Sequence, residues 1–246
     1  MRADAVEKSS APILAFVEEH SQAQQGWLMA IIDAFENHNL AGATYSFISG
    51  NTNNYISRTG DILEYGLWSA PASKMSSSFM PWNNYIITRS FLMSLETNLD
   101  QLFENDTLIY DHIRRTNSNY MQINNAVLAH IGHDNLIGLI RGSFYGCQLL
   151  AHQRVRVGQW RWGRRLAYAV SVPLLVPFMR MGRLFRHYLT TPHRMWSLIE
   201  ALPMIILLYF VGSFSEGIGY LTVSETTFDG FVDIEIHIKR DYTIDN

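Results

Sequence analysis

The sequence predicts an α/β fold in which a mixed sheet with helices precedes a helical C-terminal region. Over residues 1–135, short apolar runs of strand length alternate with segments whose apolar residues recur at helical spacing. Over residues 136–215, the apolar runs are longer and arginines border them, which is typical of long helices. We therefore expect an α/β domain over residues 1–135, a basic and apolar helical region over residues 136–215, and a C-terminal tail over residues 216–246.

The expected elements of the α/β domain follow one another in a simple order. Residues 12–15 predict a short buried strand, residues 26–35 an amphipathic helix, and residues 44–48 a second strand. The asparagine-rich residues 50–60 predict a loop. Residues 120–130 predict a late strand that ends in a histidine.

Charge divides the chain more sharply than its formal net charge of -3 suggests. Residues 151–200 contain nine arginines and one acidic residue, whereas the segments on either side are net acidic. Because these arginines border apolar runs, we expect them to face anionic membrane lipids rather than nucleic acid. A basic nucleic-acid-binding module over residues 154–194 is the alternative for this segment.

The apolar runs within the basic segment predict how it meets a membrane. Residues 166–179 are shorter than the roughly 20 residues that cross a bilayer, and arginines flank both of their ends. We expect helices that lie on the cytoplasmic face of the membrane, with Trp160 and Trp162 at the boundary. Residues 198–214 form a second apolar run that is able to cross the bilayer. The alternative is a buried helix pair whose arginines extend to solvent.

Four polar residues stand where the predicted strands and helices begin or end. Glu18 and His20 follow the first strand, Asp106 opens a helix, and His130 closes the last strand. Residues two apart in a strand point the same way, so Glu18 and His20 can reach one divalent cation. The lone Cys147 excludes a cysteine-based metal site, which leaves carboxylate and imidazole as the candidate ligands.

Each of the candidate residues also has an ordinary structural explanation. Glu18 and His20 can belong to a solvated turn, and Asp106 can be the N-cap of its helix. His130 can be a hydrogen-bonded core histidine, and Asn84 can serve only to turn a loop.

Several short motifs occur in an order that resembles a single protein family. Residues 13–20, Ile-Leu-Ala-Phe-Val-Glu-Glu-His, are similar to a strand that ends in a metal-binding Asp-x-Asp motif. Residues 105–108, Asn-Asp-Thr-Leu, resemble the Glu-Asp-x-x-Leu stretch that supplies a catalytic base, with Asn105 in place of the glutamate. Further similar segments are Gly26-Trp27, Pro81-Trp82-Asn83-Asn84 with Arg89, and Ala129-His130. The chain thus resembles the C-terminal part of the family 2 glycosyltransferases, which have the GT-A fold.

The resemblance implies a partial GT-A, or Rossmann-like, fold and an inverting glycosyltransferase. A sugar would pass from a nucleotide-sugar donor to a glycan or lipid-linked acceptor. Glu18, His20 and His130 would hold a divalent cation, Mn²⁺ or Mg²⁺, and Asp106 would be the catalytic base. The implied substrate-binding residues are Trp82, Asn84 and Arg89.

Much of the family's N-terminal nucleotide-binding half has no counterpart before Glu18. We therefore expect a chain that lacks part of the family's domain. The alternative is an inactive membrane-associated fragment or scaffold without transferase activity. Under the enzyme interpretation, Glu18, His20, Asp106 and His130 are expected to meet in one pocket around the cation.

Overall fold

The computed structural model describes residues 2–51, 54–69, 80, 81, 83–95, 98–104, 106–191, 194–222, 227 and 230. The chain divides into two compact units. One, here called the sheet unit, comprises Met1–Gly50 and Tyr65–His130. The other, the helical unit, comprises Asn51–Glu64 and Ile131–Asn246.

The sheet unit contains a five-stranded mixed sheet, which confirms the expected α/β class. Its strands are β1 (Ile13–Phe16), β2 (Ser21–Ala23), β3 (Gly42–Ser49), β4 (Tyr85–Thr88) and β5 (Tyr120–His130). Their order across the sheet is β1-β4-β3-β5-β2. The β3–β5 pair is parallel, and the other pairs are antiparallel.

Helices cover both faces of this sheet. They are α1 (Arg2–Lys8), α2 (Trp27–Asn37), α4 (Arg89–Ser94), α5 (Leu99–Glu104) and α6 (Thr107–Arg115). The helix α3 (Tyr55–Tyr65) lies in the helical unit except for its last residue, which begins the second segment of the sheet unit.

The side chains of β4 point alternately to the two faces of the sheet, and this explains how the two cores of the sheet unit arise. Ile86 packs into a core with Ile31 of α2, whereas Tyr85 and Ile87 pack into a second core with Val6 of α1. Successive side chains of a strand point to opposite faces of its sheet, so both cores follow from one apolar strand. The sheet therefore has no solvent-facing side at β4.

The expected strands over residues 44–48 and 120–130 and the expected helix over residues 26–35 are confirmed as β3, β5 and α2. The expected loop over residues 50–60 is wrong, because α3 begins within it. Asn54 explains the error, since its side-chain oxygen accepts hydrogen bonds from the backbone nitrogens of Ile56 at 2.8 Å and Ser57 at 3.4 Å. An asparagine that starts a helix has the same local signature as one that turns a loop.

The helical unit is built around three long helices, α7 (Leu136–Gly158), α8 (Trp162–Leu189) and α9 (Met195–Leu221). The side chain of Asn135 caps α7 by accepting a hydrogen bond from the Gly138 nitrogen at 2.7 Å. The helix α9 packs against both of the others. It continues through residue 216, where the sequence places the start of a tail, and residues 231–246 lie outside the described part of the chain.

Within the described residues, α9 is the one helix that is long and apolar enough to cross a membrane. The expected apolar run over residues 166–179 forms the middle of α8, which passes through Pro173 and Pro177 without ending.

Candidate metal centre

The structure brings Glu18, His20 and His130 together at the end of β5. One possible ligand atom from each residue lies within 4.8 Å of the others. The antiparallel pairing of β2 with β5 sets Ser21 opposite His130. Because His20 directly precedes Ser21, this pairing brings the two imidazole rings to a centroid distance of 4.8 Å.

Glu18 and His20 do not share a strand face, so that expectation is wrong. β1 ends at Phe16, and both residues lie in the turn between β1 and β2. The turn is closed by the Ser21 nitrogen, which donates to the Glu18 carbonyl oxygen at 3.0 Å. The two side chains therefore meet because the backbone reverses direction.

The distances within this group suit ligands of one ion. Glu18 Oε2 lies 3.2 Å from His20 Nε2 and 3.9 Å from His130 Nε2. Two ligands bound at about 2.0–2.2 Å to the same ion are separated by a comparable distance. Imidazole is a poor ligand for Mg²⁺, which prefers oxygen, so two imidazoles with one carboxylate favour a transition-metal ion. We call Glu18, His20 and His130 the metal group.

Asn84 and Tyr65 contact the carboxylate of the metal group. The Asn84 side-chain nitrogen donates to Glu18 Oε2 at 2.7 Å, and the Tyr65 hydroxyl donates to the same oxygen at 2.6 Å. Asn84 is fully buried. The Asn84 side chain was expected to contact substrate, and in the structure it contacts Glu18 and Tyr65 inside the protein.

Asp106 lies in a second polar group. Its two carboxylate oxygens accept hydrogen bonds from Arg2 at 3.2 and 3.0 Å. Oδ2 also accepts from the Asn83 nitrogen at 3.1 Å, and Oδ1 from the Tyr85 hydroxyl at 3.3 Å. None of these contacts joins Asp106 to the metal group, although Asn83 directly precedes the Asn84 that holds Glu18.

Burial shifts the pKa of the Asp106 carboxyl upward. The residue is 2% exposed, and this loss of solvent raises the pKa of its carboxyl above the ordinary value of 3.8. Arg2 and the hydrogen bonds of Asn83 and Tyr85 lower that pKa and offset part of the rise. Asp106 precedes α6 without making a side-chain cap hydrogen bond, so capping is not what its carboxylate does.

Of the other two predicted substrate-binding residues, the structure describes only Arg89, which contacts neither the metal group nor Asp106 through its hydrogen bonds. Arg89 is the first residue of α4, and its guanidinium donates to the Val6 carbonyl oxygen of α1. Its backbone nitrogen donates to the Pro12 carbonyl oxygen at 2.8 Å. Trp82 lies outside the described residues.

Two partners of the candidate residues lie far from them in the sequence, and no local pattern marks them as partners. Tyr65 lies 47 positions from Glu18, and Arg2 lies 104 positions from Asp106. Tyr65 ends a helix that starts where a loop is expected, and Arg2 begins a short polar helix. Only the three-dimensional arrangement of the strands identifies either pairing.

No protein-family model, curated protein or solved structure matches this chain. The functional interpretation therefore rests on the geometry of the metal group and on the motifs described above.

Proposed function

We propose that the sheet unit is an inverting glycosyltransferase of GT-A type that moves a sugar from a nucleotide-sugar donor to a glycan or lipid-linked acceptor. One observation carries the proposal: Glu18, His20 and His130 converge at the end of a mixed sheet. These three residues would hold a cation, Mn²⁺ in preference to Mg²⁺, and its charge would offset the negative charge of the departing nucleoside diphosphate.

Asp106 is the proposed base that removes the proton of the acceptor hydroxyl. A carboxylate whose pKa is raised above the ordinary value is a better proton acceptor than one with an ordinary pKa. The Arg2 guanidinium occupies both of its oxygens, so proton transfer requires this ion pair to open. One base facing the acceptor implies a single displacement with inversion at the anomeric carbon.

The Arg2–Asp106 ion pair also favours a second candidate function. A base that stays paired with arginine transfers no proton, and the protein is then a membrane-associated scaffold without transferase activity. The third candidate, a nucleic-acid-binding module, has less support. Arg154 and Arg180 are paired with Glu216, and Arg165 donates to the carbonyl oxygens of the last turn of α9.

The helical unit is proposed to hold the enzyme on anionic lipid at the cytoplasmic face of the membrane. Support comes from large apolar side chains that α8 and α9 leave exposed to solvent. They include Val170, Leu174, Leu175, Phe178, Met179, Trp196 and Phe214. Arginines flank the apolar stretch of α8 at both ends, as an interfacial helix among anionic headgroups requires.

The transferase proposal is tested by incubating the full chain with UDP- and GDP-sugars and Mn²⁺ and measuring nucleoside diphosphate release. Glu18→Gln is expected to abolish release, whereas the matched change Glu19→Gln at an exposed neighbour leaves it unchanged. Asp106→Asn is expected to abolish transfer while donor affinity stays within about twofold, because the base acts only in the chemical step. Wild-type turnover in Asp106→Asn removes Asp106 from the mechanism.

A folded protein that binds none of these donors, with either Mn²⁺ or Mg²⁺, supports the scaffold interpretation instead. Binding of duplex DNA or RNA that weakens steeply with salt, without binding to vesicles, supports the nucleic-acid module.

The membrane proposal is tested by flotation with vesicles of phosphatidylcholine, with and without phosphatidylserine. The full chain is expected to float with the anionic vesicles, and the double change Leu174→Glu and Phe178→Glu is expected to reduce this binding. Both side chains are strongly exposed, at 63% and 67%, so their replacement leaves the interior of the helical unit intact. Equal flotation of this variant contradicts the proposed lipid-facing surface.

A further inference from the structure

We propose that Asn84 and Tyr65 are positioning residues that fix the Glu18 carboxylate for metal binding. The inference rests on the proposed function in one respect, since it takes the metal group as a cation site. It assigns to Asn84 a role different from the substrate contact that its motif predicts.

Asn84 holds Glu18 at two points. Its side-chain oxygen accepts a hydrogen bond from the Glu18 backbone nitrogen at 3.1 Å, and its side-chain nitrogen donates to Glu18 Oε2 at 2.7 Å. One rigid amide thus fixes both the backbone and the carboxylate of the same residue. The Asn84 side chain is fully buried, so these contacts account for its polar atoms without any substrate.

Tyr65 completes the arrangement. Its hydroxyl donates to Glu18 Oε2 at 2.6 Å and accepts from the Asn84 side-chain nitrogen at 2.7 Å. Its ring stacks on Phe47 with a centroid distance of 4.2 Å and an interplanar angle of 18°. The same ring lies 4.6 Å from the His130 ring, so Tyr65 contacts two of the three members of the metal group.

These contacts have a direct consequence for metal binding. A glutamate in a turn has several side-chain torsions, and immobilising it when an ion arrives costs conformational entropy. Asn84 and Tyr65 remove much of that freedom beforehand and leave Glu18 Oε2 facing His20 and His130. Partners that orient a metal ligand in this way typically change metal affinity by about 10- to 100-fold when they are removed.

The test compares Mn²⁺ affinity of the full chain, measured from the electron paramagnetic resonance signal of free Mn²⁺. Tyr65→Phe retains the ring that stacks on Phe47 and removes only the hydroxyl. We expect it to bind Mn²⁺ about 10- to 100-fold more weakly than the wild type. Asn84→Ala is expected to weaken binding at least as much, because it releases both the backbone and the carboxylate of Glu18.

Tyr45→Phe is the matched control. Tyr45, like Tyr65, is a buried tyrosine of the sheet unit, and its hydroxyl donates to the Tyr85 carbonyl oxygen at 3.3 Å. Its removal is expected to lower the melting temperature of the metal-free protein about as much as Tyr65→Phe does, but to leave Mn²⁺ affinity unchanged. A purely structural role for Tyr65 predicts that the two tyrosine variants behave alike in both measurements.

The outcomes separate this inference from the proposed function. Wild-type Mn²⁺ affinity in Tyr65→Phe overturns the positioning role and leaves the metal group intact. If Asn84→Ala fails to fold, Tyr65→Phe alone decides the question. Failure of the wild type to bind Mn²⁺ overturns the cation site and the positioning role together, whereas intact binding without sugar transfer overturns the transferase proposal alone.

Discussion

Each unit of the protein contains a carboxylate held by several polar partners, and the partners differ in kind. In the helical unit, Glu216 of α9 is 1% exposed and is paired with Arg154 of α7 at 2.6 Å and Arg180 of α8 at 2.8 Å. In the sheet unit, Glu18 faces two histidines, an asparagine and a tyrosine.

The difference between the two sets of partners separates a structural carboxylate from a candidate site. Two guanidinium groups compensate the charge of Glu216 in full, and Tyr220 donates a further hydrogen bond at 2.9 Å. This arrangement connects three helices. Because the carboxylate is already neutralised, it does not favour binding of a further cation. Imidazole is a common metal ligand, so Glu18 and the two histidines beside it form a group that could hold an ion.

The largest expected effect is a difference in stability when each of the two glutamates, Glu216 and Glu18, is replaced by glutamine. Glu216→Gln leaves two arginines without a counter-charge and is expected to destabilise the protein by about 3 kcal/mol. Glu18→Gln leaves hydrogen-bond donors that an amide oxygen still satisfies, so its expected cost is about 1 kcal/mol or less. Urea unfolding of the full chain in mild detergent, followed by circular dichroism, measures both changes. Equal costs contradict the distinction between a structural and a metal-binding carboxylate.

A second prediction concerns what Mn²⁺ does to each variant. An ion at 100 times its dissociation constant stabilises the folded state by about 2.7 kcal/mol. We expect this gain in the wild type and in Glu216→Gln, and none in Glu18→Gln. Thermal unfolding with Mn²⁺ and with a chelator measures the difference. A gain that survives Glu18→Gln would place the ion elsewhere in the chain.

The comparison also explains which features were predictable from the sequence. β3 and β5 are rich in apolar and aromatic residues over strand length, so local pattern identifies them. Glu18 and His20 are two residues apart, and their proximity is predictable even though the expected strand is a turn. The meeting of both with His130 was expected only from the family resemblance, and the structure places the three residues close together.

Long-range polar pairing was not predictable in the same way. Arg154 and Glu216 are 62 positions apart, and neither has a neighbour in sequence that marks the other as its partner. The arginines of residues 151–200 were expected to face lipid headgroups, yet Arg154 and Arg180 turn inward to Glu216. A buried carboxylate in an apolar helix needs a cationic partner, but the sequence does not specify which arginine pairs with it.

Glycine packing provides a smaller effect that is specific to the helical unit. A Cβ at Gly219 of α9 would lie 2.7 Å from the Gln148 carbonyl oxygen of α7 and 2.8 Å from the Ala151 Cβ. Gly219→Ala is therefore expected to force the helices apart at a cost of about 2 kcal/mol. Gly182→Ala in α8 is the control, because nothing lies within 4 Å of its Cβ, and it is expected to stabilise the helix by up to about 1 kcal/mol. The free energy of unfolding of both variants is measured with urea. An equal loss of stability in Gly219→Ala and Gly182→Ala contradicts close packing at Gly219.

The smallest expected effect is a dependence on pH that belongs to the sheet unit. The pKa of Asp106 is raised on folding above its ordinary value of 3.8, so the folded state holds this proton more tightly than the unfolded state. The resulting stabilisation is complete below pH 3.8 and is lost as pH rises through the raised pKa. A side-chain amide does not titrate in this range, so Asp106→Asn removes this part of the profile.

The measurement for Asp106 is the free energy of unfolding of the wild type and Asp106→Asn between about pH 4 and pH 7. The wild type is expected to lose stability relative to the variant as pH rises, by about 1.4 kcal/mol for each unit by which the pKa is raised. Only the slope is compared, because the variant also leaves Arg2 without its partner at every pH. A wild type that instead gains stability with rising pH relative to the variant shows that Arg2 outweighs burial, and that Asp106 is held as a permanent anion unsuited to accept a proton.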